Sequence, residues 1–104
     1  IFVFPSTYQE TFGLCLAEAR ACGLATISSD VAGAKAQITD GGDGLLFRNR
    51  DADDLADCLR ALLENRESCK KMGRNARRWA EGNLTFDRMA REYEEFYGRI
   101  LHGT

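Results

Sequence analysis

Two glutamates eight positions apart, Glu10 and Glu18, flank a glycine, Gly13, in the stretch Pro5-Ser6-Thr7-Tyr8-Gln9-Glu10-Thr11-Phe12-Gly13-Leu14-Cys15-Leu16-Ala17-Glu18. The apolar run Ile1-Phe2-Val3-Phe4 precedes it, and a helix-like run, Leu14 to Cys22, follows and closes on Gly23. Strand, sharp loop and helix in that order direct unpaired backbone N–H groups and the positive end of a helix at one point. Such a point suits a phosphate. Helical side chains lean toward the N-terminus, so Glu18 is expected to reach back toward the loop that carries Glu10. A carboxylate can accept both hydroxyls of a vicinal diol, with charge-assisted bonds stronger than neutral ones. Bare amides beside two hydroxyl acceptors point to a phosphate ester that also carries a sugar.

The elements that must hold these residues are legible in order. Ile1 to Phe4 is apolar on both faces, as in a central parallel strand, and Pro5 ends it. A helix is expected from about Phe12 to Cys22 with Gly23 as its stop. Leu24 to Ser28 reads as a second short strand, Ser29 to Gly33 as a loop and Ala34 to Thr39 as one helical turn. Asp40-Gly41-Gly42-Asp43-Gly44 is a dense turn signal, and Leu45-Leu46-Phe47 a third strand. Asp51, supported by Asp54, caps a helix with the apolar stripe Leu55, Cys58, Leu59, Leu62 and Leu63, ending at Glu64-Asn65. A second helix runs from about Glu67 to Glu81 with Met72, Ala76, Trp79 and Ala80 as its apolar positions, stopped by Gly82-Asn83. Thr85 can cap a third, whose stripe is Met89, Tyr93, Phe96, Tyr97 and Ile100. Strands alternating with helices predict an α/β fold with a parallel sheet of Rossmann type. A full doubly wound sheet has about six strands. The expectation is therefore a partial domain, a fragment of a longer chain whose other half precedes Ile1.

Composition excludes several classes. The 104 residues suffice for one domain, with 44% hydrophobic and 29% charged residues and a net charge of −2. That charge gives no general attraction to nucleic acid or anionic membrane. The basic run Lys70, Lys71, Arg74, Arg77 and Arg78 is balanced by acidic neighbours and reads as a solvated helix face. No apolar run spans a membrane and no signal-peptide pattern opens the sequence. Cys15, Cys22, Cys58 and Cys69 match no common zinc spacing, and the single His102 is near the end. Cys15 and Cys22 share a helix face with a rise of about 10 Å between them, too far for a disulfide. Buried or half-buried free thiols in a reducing compartment are expected, which suits the cytoplasm. Phosphate-loop, dinucleotide and hydrolase-elbow motifs are lacking.

The stretch resembles the C-terminal, donor-binding domain of retaining glycosyltransferases of the two-Rossmann (GT-B) architecture, in the large family four. The signature stands here as Pro5-Ser6, Glu10-Thr11-Phe12-Gly13, Glu18-Ala19 and Ala21-Cys22-Gly23-Leu24. Asp40 to Phe47 is similar to the family's turn and strand, and Asp51 to Leu63 to its following helix. Met72-Gly73, Ala76-Arg77 and the aromatic final helix continue the likeness across the chain. The resemblance implies an enzyme that transfers a hexosyl group from a nucleotide sugar to a sugar, lipid or small-molecule acceptor. It implies that Glu10 contacts the transferred sugar and is the catalytic residue. Thr11, Phe12, Gly13 and Leu14 would hold sugar and diphosphate oxygens, mainly by backbone, and Glu18 would bind the ribose. No metal or other cofactor is implied.

By the same resemblance, residues 1–84 would form a partial nucleotide-sugar-binding domain. Residues 85–104 would be a helix crossing to an N-terminal Rossmann domain that supplies the acceptor site, so the fragment alone is expected to be inactive. Peripheral membrane contact of the parent enzyme fits relatives that act on lipid acceptors. The strand Ile1–Phe4, left as an apolar edge, is expected to pair with a second copy. Three positions depart from the family: Ala25 for a usual Pro, Ala32 for the first of two glycines, and Ala36 for a usual Glu. Ala32 and Ala36 keep open a second reading, a non-catalytic glycosyltransferase-like module that only binds.

Overall fold

The computed structural model describes residues 1–7, 13–84 and 86–102, the side chains at 86–89, 92 and 102 excepted. Three short strands, β1 (Phe2–Phe4), β2 (Thr26–Ser29) and β3 (Leu45–Phe47), form a parallel sheet in the order β1-β2-β3. Among the described residues five helices accompany them: α1 (Leu14–Ala21), α2 (Ala32–Gln37), α3 (Ala52–Glu64), α4 (Arg66–Asn83) and α5 (Phe86–His102). Val3 pairs with Ile27, and Ile27 with Leu45. These three residues share one face of the sheet because strand side chains alternate. They pack with Phe47, Leu62 and Met72 and with Leu55, Cys58 and Leu59 of α3. The opposite face carries Phe2, Phe4 and Leu46 against Leu16, Val31, Ala34 and Ile38. The sheet thus has helices on both faces, as parallel strands require.

The helix ends follow from their residues. Gly23, at φ +77, lets α1 end in a Schellman turn. Its N–H donates to the Arg20 carbonyl at 3.0 Å, and that of Leu24 to the Ala19 carbonyl at 3.2 Å. Asp51 caps α3 by accepting from the Asp54 N–H at 2.9 Å, while Asp54 Oδ2 accepts from the Arg48 N–H at 2.7 Å. Asn65 both ends α3 and caps α4, its Oδ1 accepting from the Ser68 N–H at 3.1 Å.

Several expectations need correction. The one-turn helix placed at Ala34 to Thr39 runs instead over Ala32–Gln37, so part of the expected loop is helical and Gly33 is buried inside it. Strand β2 starts two residues later than expected: Leu24 completes the α1 stop, and Ala25, whose carbonyl accepts from the Phe2 N–H, leads into the strand. Gly82 does not end α4, which continues to Asn83. Leu63 is 69% exposed. It lies about 100° around the helix from Leu62, outside the stripe that repeats at 55, 58, 59 and 62. Cys15 and Cys22 are exposed rather than buried, since α1 turns Leu16, Ala17, Ala19 and Arg20 inward instead. Cys58 and Cys69 are half-buried, as expected. The proposed cap Thr85 lies outside the described residues.

Candidate functional site

Ligands of open parallel sheets bind beyond the carboxyl ends of the strands. Here the three segments leaving those ends are tied together. Ser29 Oγ, at the end of β2, donates to the Ser6 carbonyl after β1 at 2.6 Å. Asn49, after β3, donates its Nδ2 to the Thr7 carbonyl at 3.3 Å and its N–H to Asp30 Oδ1 at 2.9 Å. Ser6 and Thr7 thus leave β1 on a fixed platform, and Gly13 opens α1. Glu10, Thr11 and Phe12 lie outside the described residues.

Gly13 is the N-cap of α1, in the left-handed region at φ 81 and ψ 74, and having no side chain it caps no amide itself. The first intrahelical bond runs from the Ala17 N–H to the Gly13 carbonyl at 3.1 Å. The N–H groups of Leu14, Cys15 and Leu16 therefore have no acceptor within the helix. They carry the positive end of its dipole. Leu14, one of the expected contact residues, is 65% exposed, a large apolar side chain in water at the mouth of the site. Glu18, one turn beyond Leu14, is also exposed. Leu14 and Glu18 are four apart and lie on the same helix face. The structure thus brings Gly13, Leu14 and Glu18 together at one end of the sheet. This end of the fold can hold an anion on its amides and a diol on its carboxylate.

Behind the site is a buried polar group that the sequence reading did not single out. Arg20, on the inner face of α1, is fully buried. Its guanidinium donates to the Asp43 carbonyl at 2.8 Å and the Gln37 carbonyl at 2.9 Å, and lies 3.2 Å from Asp43 Oδ2. The Trp79 ring stacks over it, with 4.9 Å between guanidinium carbon and ring centroid. Burial pulls the guanidinium below its ordinary value, against the opposing pull of Asp43. The Gln37 side chain continues forward, its Nε2 donating to the Gly13 carbonyl at 3.2 Å. The available signal was the break in pattern: Arg20 sits among Leu16, Ala17 and Ala19 on the inner stripe, where an apolar residue is usual.

The family model described as Glycosyl transferases group 1 matches residues 1–79. A D-inositol 3-phosphate glycosyltransferase of Nocardia farcinica is 41% identical over 76 residues, which are 73% of this chain and 17% of that protein. The N,N'-diacetylbacillosaminyl-diphospho-undecaprenol alpha-1,3-N-acetylgalactosaminyltransferase of Campylobacter jejuni is 35% identical over 103 residues, 97% of this chain and 26% of that one. Among solved structures, a sucrose-phosphate synthase from Thermosynechococcus elongatus superposes with a TM-score of 0.83 at 29% identity, covering 98% of this chain and 25% of that one. The chain therefore spans about a quarter or less of the length of these relatives.

Proposed function

Because this chain belongs to the group 1 glycosyl transferases and carries their Rossmann-like GT-B sheet, we propose that it is the donor-binding half of a retaining hexosyltransferase. The observation that carries this reading is the start of α1 at the left-handed Gly13, which has no side chain to cap it, with Glu18 exposed one turn along. In this reading the amides from Gly13 to Leu16 hold the diphosphate of a nucleotide sugar. Glu18 accepts the ribose hydroxyls. Glu10 accepts hydroxyls of the transferred sugar, and Thr11 and Phe12 contribute backbone. Departure of the nucleoside diphosphate is stabilised by preorganised amides and the helix dipole rather than by a metal ion.

The acceptor site and the groups it lends to catalysis belong to a second Rossmann domain, onto which α5 packs. The relatives' greater length supports that division. So do Tyr93, Phe96, Tyr97 and Ile100 of α5, all exposed. The acceptor class stays broad: one relative is named for an inositol phosphate and another for a diphospho-undecaprenol-linked sugar. In this reading the enzyme works in the cytoplasm, where the exposed thiols of Cys15 and Cys22 would stay reduced.

The test is a transfer assay on an enzyme carrying this chain at its relatives' full length, supplied with α-linked nucleotide sugars and an acceptor panel. An α-linked product is expected, and no transfer from the 104 residues alone. A β-linked product overturns retention. Nucleotide-sugar binding without transfer to any acceptor would favour the non-catalytic module instead.

A further inference from the structure

We infer that Gln37 is a positioning residue for the donor's diphosphate: it grips the Gly13 carbonyl from behind and so aims the Leu14 N–H outward. This rests on the reading of the α1 start as the donor site. Gln37 is the last residue of α2 and only 2% exposed. Its Nε2 meets the Gly13 carbonyl at 3.2 Å, across 24 residues of sequence. That carbonyl and the Leu14 N–H belong to one planar peptide and point in opposite directions. Holding the carbonyl therefore fixes where the amide points.

An outside anchor matters here because Gly13, at φ +81, has no side chain to restrict its own rotation. Room exists around it. A Cβ built on Gly13 would meet Phe4 Cε1 at 3.6 Å, Leu16 Cβ at 3.7 Å and Gln37 Nε2 at 3.8 Å, all ordinary contacts. The Ala17 N–H holds this carbonyl from within α1 at 3.1 Å, and the Gln37 bond adds a second constraint from outside the helix. The anchor is itself held. The Gln37 carbonyl accepts from Arg20 Nη2 at 2.9 Å, and Arg20 is fixed by Asp43. Asp43, Arg20 and Gln37 thus form a continuous polar line from the turn after α2 to the peptide that opens α1. An apolar residue of the same volume would fill the Gln37 position without the cost of burying an amide.

The experiment is an NMR titration of the 104-residue chain with inorganic pyrophosphate and, separately, with UDP, GDP and ADP. The unsubstituted chain is compared with Q37M and Q37E at a temperature where thermal melts show each folded. Q37M keeps the volume and removes the donor. Its affinity is expected to fall about five- to tenfold, the scale of one hydrogen bond, with an upfield shift of the Gly13 carbonyl carbon. Q37E is expected to bind as weakly near neutrality. It should recover relative to the unsubstituted chain as pH falls, because its protonated carboxyl can donate again, while Q37M shows no such recovery. Binding by Q37M within twofold of the unsubstituted chain overturns this inference and leaves the donor reading standing. An unsubstituted chain that binds none of the four probes overturns the donor reading, and this inference with it.

Discussion

At the scale of single residues, Gly13 does two jobs with one backbone conformation. Its φ of +81 turns the chain into α1, whose first amides have no partner within the helix. An L-residue there meets little obstruction but must adopt the left-handed region. Gly13→Ala is expected to lower unfolding stability by about 1–2 kcal/mol, measured by urea denaturation. An unchanged midpoint would mean the bend relaxes to another conformation. Arg20 is the opposite case, held by many partners rather than by backbone freedom. Removing one member of a buried pair leaves the other unpaired. Arg20→Met is therefore expected to cost roughly 3–5 kcal/mol, and R20M/D43N to recover part of that loss. If the double variant is no more stable than R20M, the Arg20 packing on Trp79 outweighs its pairing with Asp43.

Helices and strands show why the site was only partly legible. The strand-loop-helix order, the Gly23 stop and the Asp51 cap are local signals, and each appears where the residues place it. The second helix was misplaced because Gly33 reads as a loop residue from sequence. Its burial against neighbouring elements overrides that propensity. Expecting Cys15 and Cys22 inside failed because they share the outer face of the helix with Glu18, while Leu16 and Arg20 turn inward. The line from Asp43 through Arg20 and Gln37 to Gly13 links turn, helix and helix across long sequence separations, beyond any local pattern. Close helix packing leaves a further mark at Gly73. A Cβ there would overlap the Gly23 carbonyl oxygen where α4 crosses the end of α1. Gly73→Ala is expected to destabilise by ~1–3 kcal/mol through overpacking, read as a lowered thermal midpoint. Gly82→Ala, at a site with open space, should be neutral or slightly stabilising. Equal effects of the two substitutions would remove the packing explanation.

For the whole molecule, the radius of gyration is 15.2 Å, against about 13 Å for a compact domain of this length. Helix α5 leaves large apolar side chains in water, with Phe96, Tyr97 and Ile100 each more than half exposed. Among the described residues β1 is also an edge of the sheet, with an apolar strand beside open backbone. Light scattering over a rising concentration series is expected to show a dimer of the 104-residue chain. A monomer at every concentration would mean that both surfaces are harmless in water. No described helix is long and apolar enough to cross a membrane. The central claim concerns the start of α1. Its most direct measurement is a map of backbone amide shifts during titration with nucleoside diphosphates, repeated on Glu18→Gln. The account predicts that Gly13, Leu14, Cys15 and Leu16 move most, and that E18Q, exposed and structurally neutral, weakens binding about tenfold or more through the lost charge-assisted bonds. Shifts centred elsewhere, or equal binding by E18Q, would contradict it.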